Sequence, residues 1–149
     1  MKRDQALELV KYVWKKVLIL GHEEAMDIIR NPELLFDAAK SGNFEFLFEL
    51  MKYYPELAWE YDSENRSIIH FAVMYRHAKI FNMIHDTGPI KDVITTYEDS
   101  EGNHLLHLAA KLPTLDRLNI VSGPALQMQR ELIWFRVHIS SYIYIYMYI

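Results

Sequence analysis

Apolar residues recur three and four positions apart at the start of the chain. Ala6, Leu9, Val10, Val13, Trp14 and Val17 share one helical face. Asp4 is the predicted N-cap. Gly21, which tolerates left-handed backbone, is the predicted stop. A shorter helix over 23–30 offers Ala25, Ile28 and Ile29, and Asn31-Pro32 breaks it. Beyond it a different pattern sets in and returns: a short apolar run, two small residues, then a second apolar helix.

Three stretches carry that pattern. They are Leu34-Leu35-Phe36-Asp37-Ala38-Ala39-Lys40, Ser67-Ile68-Ile69-His70-Phe71-Ala72-Val73 and His104-Leu105-Leu106-His107-Leu108-Ala109-Ala110. Ala38, Ala72 and Ala109 are equivalent, so the steps are 34 and 37 residues, near the ~33 of an ankyrin repeat. The second helix of the first copy carries Phe44, Phe46, Leu47, Leu50 and Met51, and that of the second Ile80, Phe81, Met83 and Ile84. Small residues suit the crossing, because bulky ones would hold stacked helical pairs apart. Gly42 falls at the turn between the helices of the first copy, and Arg76 at that turn in the second, where glycine is the easier residue.

Between copies the chain turns polar, in Asp62-Ser63-Glu64-Asn65-Arg66 and Asp99-Ser100-Glu101-Gly102-Asn103. Asn65 and Gly102 are equivalent, and both tolerate the positive φ of a tight hairpin turn. These segments are the expected projecting fingers. The insert from Asp86 to Tyr97 is expected to be an extended loop or an extra helical turn. Pro113 falls where a second helix would start, so the third copy is expected to be irregular. Ser122-Gly123-Pro124 reads as a helix start, and Ala125, Met128, Leu132 and Phe135 mark one face of that helix. From Tyr142 to Ile149 tyrosine alternates with isoleucine and methionine. As a strand this tail would put tyrosines on one face, and its uncharged β-propensity is an aggregation hazard. The resulting organisation is 1–31 N-terminal capping helices, 32–121 repeats, 122–136 a C-terminal helix and 137–149 a low-complexity tail.

Composition narrows the function. At 149 residues, 51% of them hydrophobic, the chain can bury a real core. Lys and Arg number 16 and Asp and Glu 20, a net charge of −4 without a dense basic cluster, which argues against nucleic acid as a partner. There is no cysteine, so no disulfide, thiolate nucleophile or Cys-ligated zinc is available. No signal-peptide core opens the chain, and no stretch reaches the ~20 apolar residues of a membrane span.

Catalytic, cofactor and metal sites are not expected. His22-Glu23-Glu24 lacks the second histidine of a zinc-protease helix, and no nucleophile elbow or phosphate cradle is present. His104 and His107 lie three apart without a third ligand. His70 and His107 sit where ankyrin repeats place a histidine that bonds between neighbouring repeats, so a structural role is expected. Trp14 is expected in the core and Trp59 under the inter-repeat loop, with Trp134 left open.

From about Ala6 through Phe135 the chain resembles a plant family of ankyrin-repeat membrane proteins that end in a multi-helix module called PGG. The most specific parts are Leu34 to Lys40, Asn65 to His70, Tyr97 to Asn103 and Leu126-Gln127-Met128-Gln129-Arg130-Glu131-Leu132. The resemblance implies an all-α fold, an ankyrin-repeat solenoid of helical pairs with short β-hairpin or loop fingers and N-terminal capping helices. It also implies a non-catalytic role in stress and defence signalling at membranes, through protein partners. After Phe135 the chain departs from that family. Tyr and Ile codons both fit a repeating TA tract, so the tail is expected to translate a retained intron or a mistaken gene model. The alternative function is accordingly a truncated, non-functional product. With the PGG module missing, a cytoplasmic address is expected. The candidate partner-binding residues are Ser63, Glu64 and Arg66 on one finger, Ser100, Glu101 and Asn103 on the next, and Met74, Tyr75, Arg76 and His77 on the helix surface between them.

Overall fold

The structure, a computed structural model, describes residues 2–19, 24, 27, 32–85 and 97–136. Gly21, the insert 86–96 and the tail 137–149 lie outside the described residues. Of the short helix expected over 23–30 only Glu24 and Asp27 are described, and both are helical.

The described residues form helices and turns, with no strand among them. The helices are α1 (Lys2–Ile19), α2 (Pro32–Ser41), α3 (Phe44–Tyr53), α4 (Ile68–Met74), α5 (Ala78–His85), α6 (Leu105–Ala110), α7 (Leu115–Leu118) and α8 (Pro124–Trp134). A 3-10 helix at Pro55–Trp59 follows α3. The all-α expectation is met; the fingers are turns, without the β-hairpin strands that were one form expected of them.

Local chemistry explains the boundaries. Pro32 opens α2, where the missing N–H costs nothing. Glu33 in the first turn and Lys40 in the last complement the helix dipole. Asn43 caps α3, its Oδ1 accepting the Phe46 N–H at 3.3 Å. Gly123 (φ 92°) precedes α8 with Pro124 at its first position, as expected.

Two rows of helices pack together. α4 touches both α2 and α6, and α3 touches α5; α2 pairs with α3 and α4 with α5. α4 is therefore central, and all six residues Ile68 to Val73 are buried, as a helix apolar on every side must be. Ala39 and Ala72 are fully buried and Ala109 nearly so, the small residues that close helix approach requires. Leu47, Leu50, Ile80, Phe81 and Ile84 of the second helices complete the core. A side chain such as Phe71 or Ile80 contributes roughly 1.5–3 kcal/mol by leaving water.

The ends differ from expectation. Asp4 lies inside the first turn of α1, because the helix already starts at Lys2. On the expected apolar face of α1, Leu9 and Val13 are exposed and Val17 packs against the core. On α8, Met128 and Leu132 are exposed, while Glu131 and Trp134 turn inward. Polar partners on the neighbouring helices orient α8, so that Met128 and Leu132 face away while Phe135 packs against the core. Trp134 is buried edge-on to Phe81, with ring centroids 6.1 Å apart. Trp59, expected beneath a loop, remains partly exposed. No helix of the described residues is long and apolar enough to cross a membrane.

Candidate functional site

The two fingers close by the same bonds. In the first, Asp62 Oδ1 accepts the N–H groups of Glu64 (2.9 Å) and Arg66 (2.8 Å). In the second, Asp99 Oδ1 accepts those of Glu101 (2.9 Å) and Asn103 (2.8 Å). Each turn passes through a left-handed residue, Asn65 (φ 58°) or Gly102 (φ 77°), as the equivalence of the two predicts. The side chain at the fifth position returns to the same aspartate. Arg66 Nε and Nη2 donate to Asp62 Oδ2 at 2.9 and 2.7 Å, and Asn103 Nδ2 donates to Asp99 Oδ2 at 2.9 Å.

Burial alone would raise the Asp62 carboxyl. The Arg66 side-chain and backbone bonds outweigh it and hold the group below the usual carboxylate range. Asp99 is held low in the same way: burial would raise it, and the Asn103 and Glu101 bonds together outweigh that. The fingers also bond each other. Ser100 N–H donates to the Glu64 carbonyl at 2.9 Å, and Asn65 Nδ2 donates to the Glu98 carbonyl.

Of the predicted finger residues, Ser63, Glu64, Ser100 and Glu101 are exposed at the tips. Arg66 and Asn103 are spent inside their own turns. Arg66 also lies over the Phe71 ring, 5.0 Å from its centroid. Glu101 Oε2 accepts from Lys111 Nζ at 3.2 Å, and the Lys111 and Asn103 bonds lower its pKa.

The helix-surface group is corrected by its placement. Arg76 stands at φ 58°, the left-handed turn that Gly42 (φ 76°) makes in the first copy. Its side chain is only 6% exposed and forms an ion pair, Nε to Glu131 Oε2, at 2.8 Å. Arg76 Nη2 donates to the carbonyls of Ala109 (3.1 Å) and Lys111 (2.8 Å). It is a staple between elements because its donors meet carbonyls that no backbone N–H covers. His77 is likewise drawn inward: its Nε2 bonds the Lys40 carbonyl at 2.8 Å. Met74 and Tyr75 are half-buried and, with Leu108, Lys111, Leu112 and Thr114, line a cavity of about 110 Å³. A second cavity, of about 360 Å³, opens beside Gly42, Phe44, Glu45, His77 and Lys79.

The histidines expected to bond between repeats act first within their own helices. The Ser67 N–H donates to His70 Nδ1 at 3.1 Å, and the His104 N–H donates to His107 Nδ1 at 3.2 Å. Each histidine thus takes the place of the acid in a capping box. His70 Nε2 faces the Tyr97 backbone of the next finger without closing a hydrogen bond. Burial pushes the His70 pKa down, against the Tyr97 backbone and the carboxylates of Asp99 and Asp62. His107 is exposed. His104 bonds Glu98 at 3.0 Å, and no cluster of three potential metal ligands occurs among the described residues.

Sequence reasoning placed Asp62 and Asp99 in the fingers without their closing role, and missed Arg117 and Glu131. The aspartates had a signal, since both open an Asp-Ser-Glu triplet 37 residues apart. Comparison of the chain with protein-family models, with curated proteins and with solved structures returned no match.

Proposed function

We propose that this chain is a non-catalytic protein-interaction module, an ankyrin-like solenoid of helical pairs that presents its finger tips to a protein partner. The observation that carries this reading is the paired fingers: two turns 37 residues apart close alike and hold each other side by side. Rigid, repeated projections suit recognition by shape and polarity, with no bond made or broken. The residue-level resemblance to the plant PGG family extends the proposal to stress and defence signalling.

Proximity labelling from the native locus tests it. The double variant Glu64→Lys with Glu101→Lys, whose side chains lie at the tips, should lose a discrete set of labelled neighbours while still unfolding in one cooperative transition. The same neighbours in both samples would remove the tips from the interface.

A second reading, a truncated product, is favoured by the exposed apolar side chains Leu112, Leu115, Ile120, Met128 and Leu132 near the C-terminal end. Solenoids need polar caps. Broad, non-cooperative melting of the purified chain would support that reading, and one sharp transition would argue against it.

A further inference from the structure

His77 occupies a joint between three elements. Its Nε2 bonds the Lys40 carbonyl at the end of α2 at 2.8 Å. The edge of its ring lies against Gly42, so close that a Cβ there would stand 2.2 Å from the ring. Tyr75 stacks on it at 6.3 Å, nearly parallel. From α7, Arg117 Nη2 stands 3.0 Å from Nδ1 and 3.1 Å from Nε2. The two ring nitrogens are about equally distant; in the ring plane that position would overlap Cε1, so Nη2 lies over the ring face. A cation is held there by the π cloud of a neutral imidazole and repelled by an imidazolium.

The other charged groups around His77 do not cancel that repulsion. Lys40 Nζ is turned to Asp37 at 3.2 Å. Arg76 is paired with Glu131. Lys79 and Glu45 line the cavity beside the ring, one cation and one anion.

We propose that this joint is an acid-sensitive latch: proton uptake by His77 sets two cations face to face, drives Arg117 off the ring and frees α7 from the α4–α5 turn. α8 stays anchored through Arg76 and Glu131. The backbone tie from Arg130 Nη2 to the Arg117 carbonyl, at 2.6 Å, keeps α7 tethered to α8 as it swings.

The linkage has a definite sign. Burial lowers the His77 pKa, and Arg117 lowers it further against the raising effect of the Lys40 carbonyl. In the opened joint the ring titrates near the ordinary value of about 6.5. The closed state is therefore favoured above that pH and loses ground as the pH falls below it. Each pKa unit of separation corresponds to about a tenfold change in the opening equilibrium.

Hydrogen exchange on the full chain, corrected for intrinsic rates, tests this together with an NMR titration of His77. Between pH 7.5 and 5, the amides of Leu118 and Asn119 that close α7 should lose about tenfold in protection for each unit by which His77 titrates low. Those of α4 should lose less. His77→Gln, which can still donate to Lys40, should abolish the pH dependence at α7. Arg117→Gln should raise the His77 pKa and leave α7 equally protected at both pH values. The latch is overturned if His77→Gln keeps the wild-type pH response, or if Arg117→Gln leaves the His77 titration in place. Should His77→Gln not fold, the Arg117→Gln titration alone decides.

Discussion

The Arg76 guanidinium bonds the carbonyl of Ala109 at 3.1 Å. The equivalent carbonyls of Ala38 and Ala72 are bonded by backbone N–H groups, from Asn43 at 2.9 Å and His77 at 2.8 Å. In those copies a left-handed residue, Gly42 or Arg76, turns the chain so that the next N–H reaches back, a helix-ending pattern that satisfies open carbonyls. The third copy has Pro113 at that position. Proline fixes φ near −65° and carries no N–H, so the turn cannot form. The side chain of the preceding copy supplies the missing donor.

Arg76→Ala should therefore destabilise far more than an ordinary surface change. It leaves Glu131 half-buried with only the longer Arg130 contact at 3.6 Å, and two helix-end carbonyls without a donor. Removing one partner of a buried pair costs about 3–5 kcal/mol. For a chain of this size 3 kcal/mol corresponds to a melting shift of roughly 6–12 °C. Arg76→Gly relieves about 1–2 kcal/mol of left-handed strain yet should still melt well below wild type. Calorimetry on both variants checks this: an Arg76→Gly protein as stable as wild type would limit the staple to the roughly 1–2 kcal/mol of strain relieved, and a more stable one would mean the staple contributes nothing.

Two glycines with nearly the same φ should respond differently to alanine. At Gly102 (φ 77°) a Cβ meets nothing nearer than Glu98 at 3.9 Å, so only the left-handed strain of about 1–2 kcal/mol applies. At Gly42 (φ 76°) the Cβ would stand 2.2–2.9 Å from three atoms of His77. The ring must swing away and give up its bond to Lys40, adding about 1 kcal/mol or more. Urea unfolding should give a lower midpoint for Gly42→Ala than for Gly102→Ala, with similar slopes.

The repeat was legible because it is written in sequence-local signals. Equivalent alanines, the Gly42 and Arg76 turns and the Asn65 and Gly102 turns all sit at fixed offsets, and the structure places each where its spacing required. Which way the faces of α1 and α8 turn was not legible, for one reason. Periodicity says which residues share a face, but not whether a neighbour covers it. Leu132 shares a stripe with Met128, yet the Glu131 pairing with Arg76, 55 residues away, turns both outward. Arg76 and His77 were placed on the surface because polar residues at a turn usually are. Their inward course follows from distant carbonyls at Lys40, Ala109 and Lys111, which no local pattern encodes.

Stability should fall in two steps as the solution is acidified. His70 and His77 are both held below the ordinary histidine value, chiefly by burial. Their contribution is complete above about pH 6.5 and declines as the pH falls from there toward their lowered values. Asp62 and Asp99 are held below the ordinary carboxylate value. Their contribution is complete above about pH 3.9 and disappears only as the pH falls through their lowered values. Urea midpoints between pH 8 and 3 should trace a plateau, a first decline below pH 6.5 and a second below pH 4. The paired replacement of His70 and His77 by glutamine should flatten the first decline and keep the second. A wild-type profile level down to pH 4.5 would contradict the histidine assignment.

Asn65 combines two jobs that separate cleanly by substitution. Its backbone is left-handed (φ 58°), and its carboxamide donates to the Glu98 carbonyl of the next finger. Asn65→Gly keeps the backbone freedom, as Gly102 does at the equivalent position, and loses only the tie, a change of about 1 kcal/mol. Asn65→Ala loses the tie and adds left-handed strain, for roughly 2–3 kcal/mol in all. The order of stability should be wild type, then glycine, then alanine. In the glycine variant the amide resonances of Ser100 and Glu101 should also shift, because one hydrogen bond between the fingers is lost while the Ser100 to Glu64 bond remains. Unmoved resonances together with wild-type stability would show that the fingers stand independently, and a shared recognition edge would then have no structural basis.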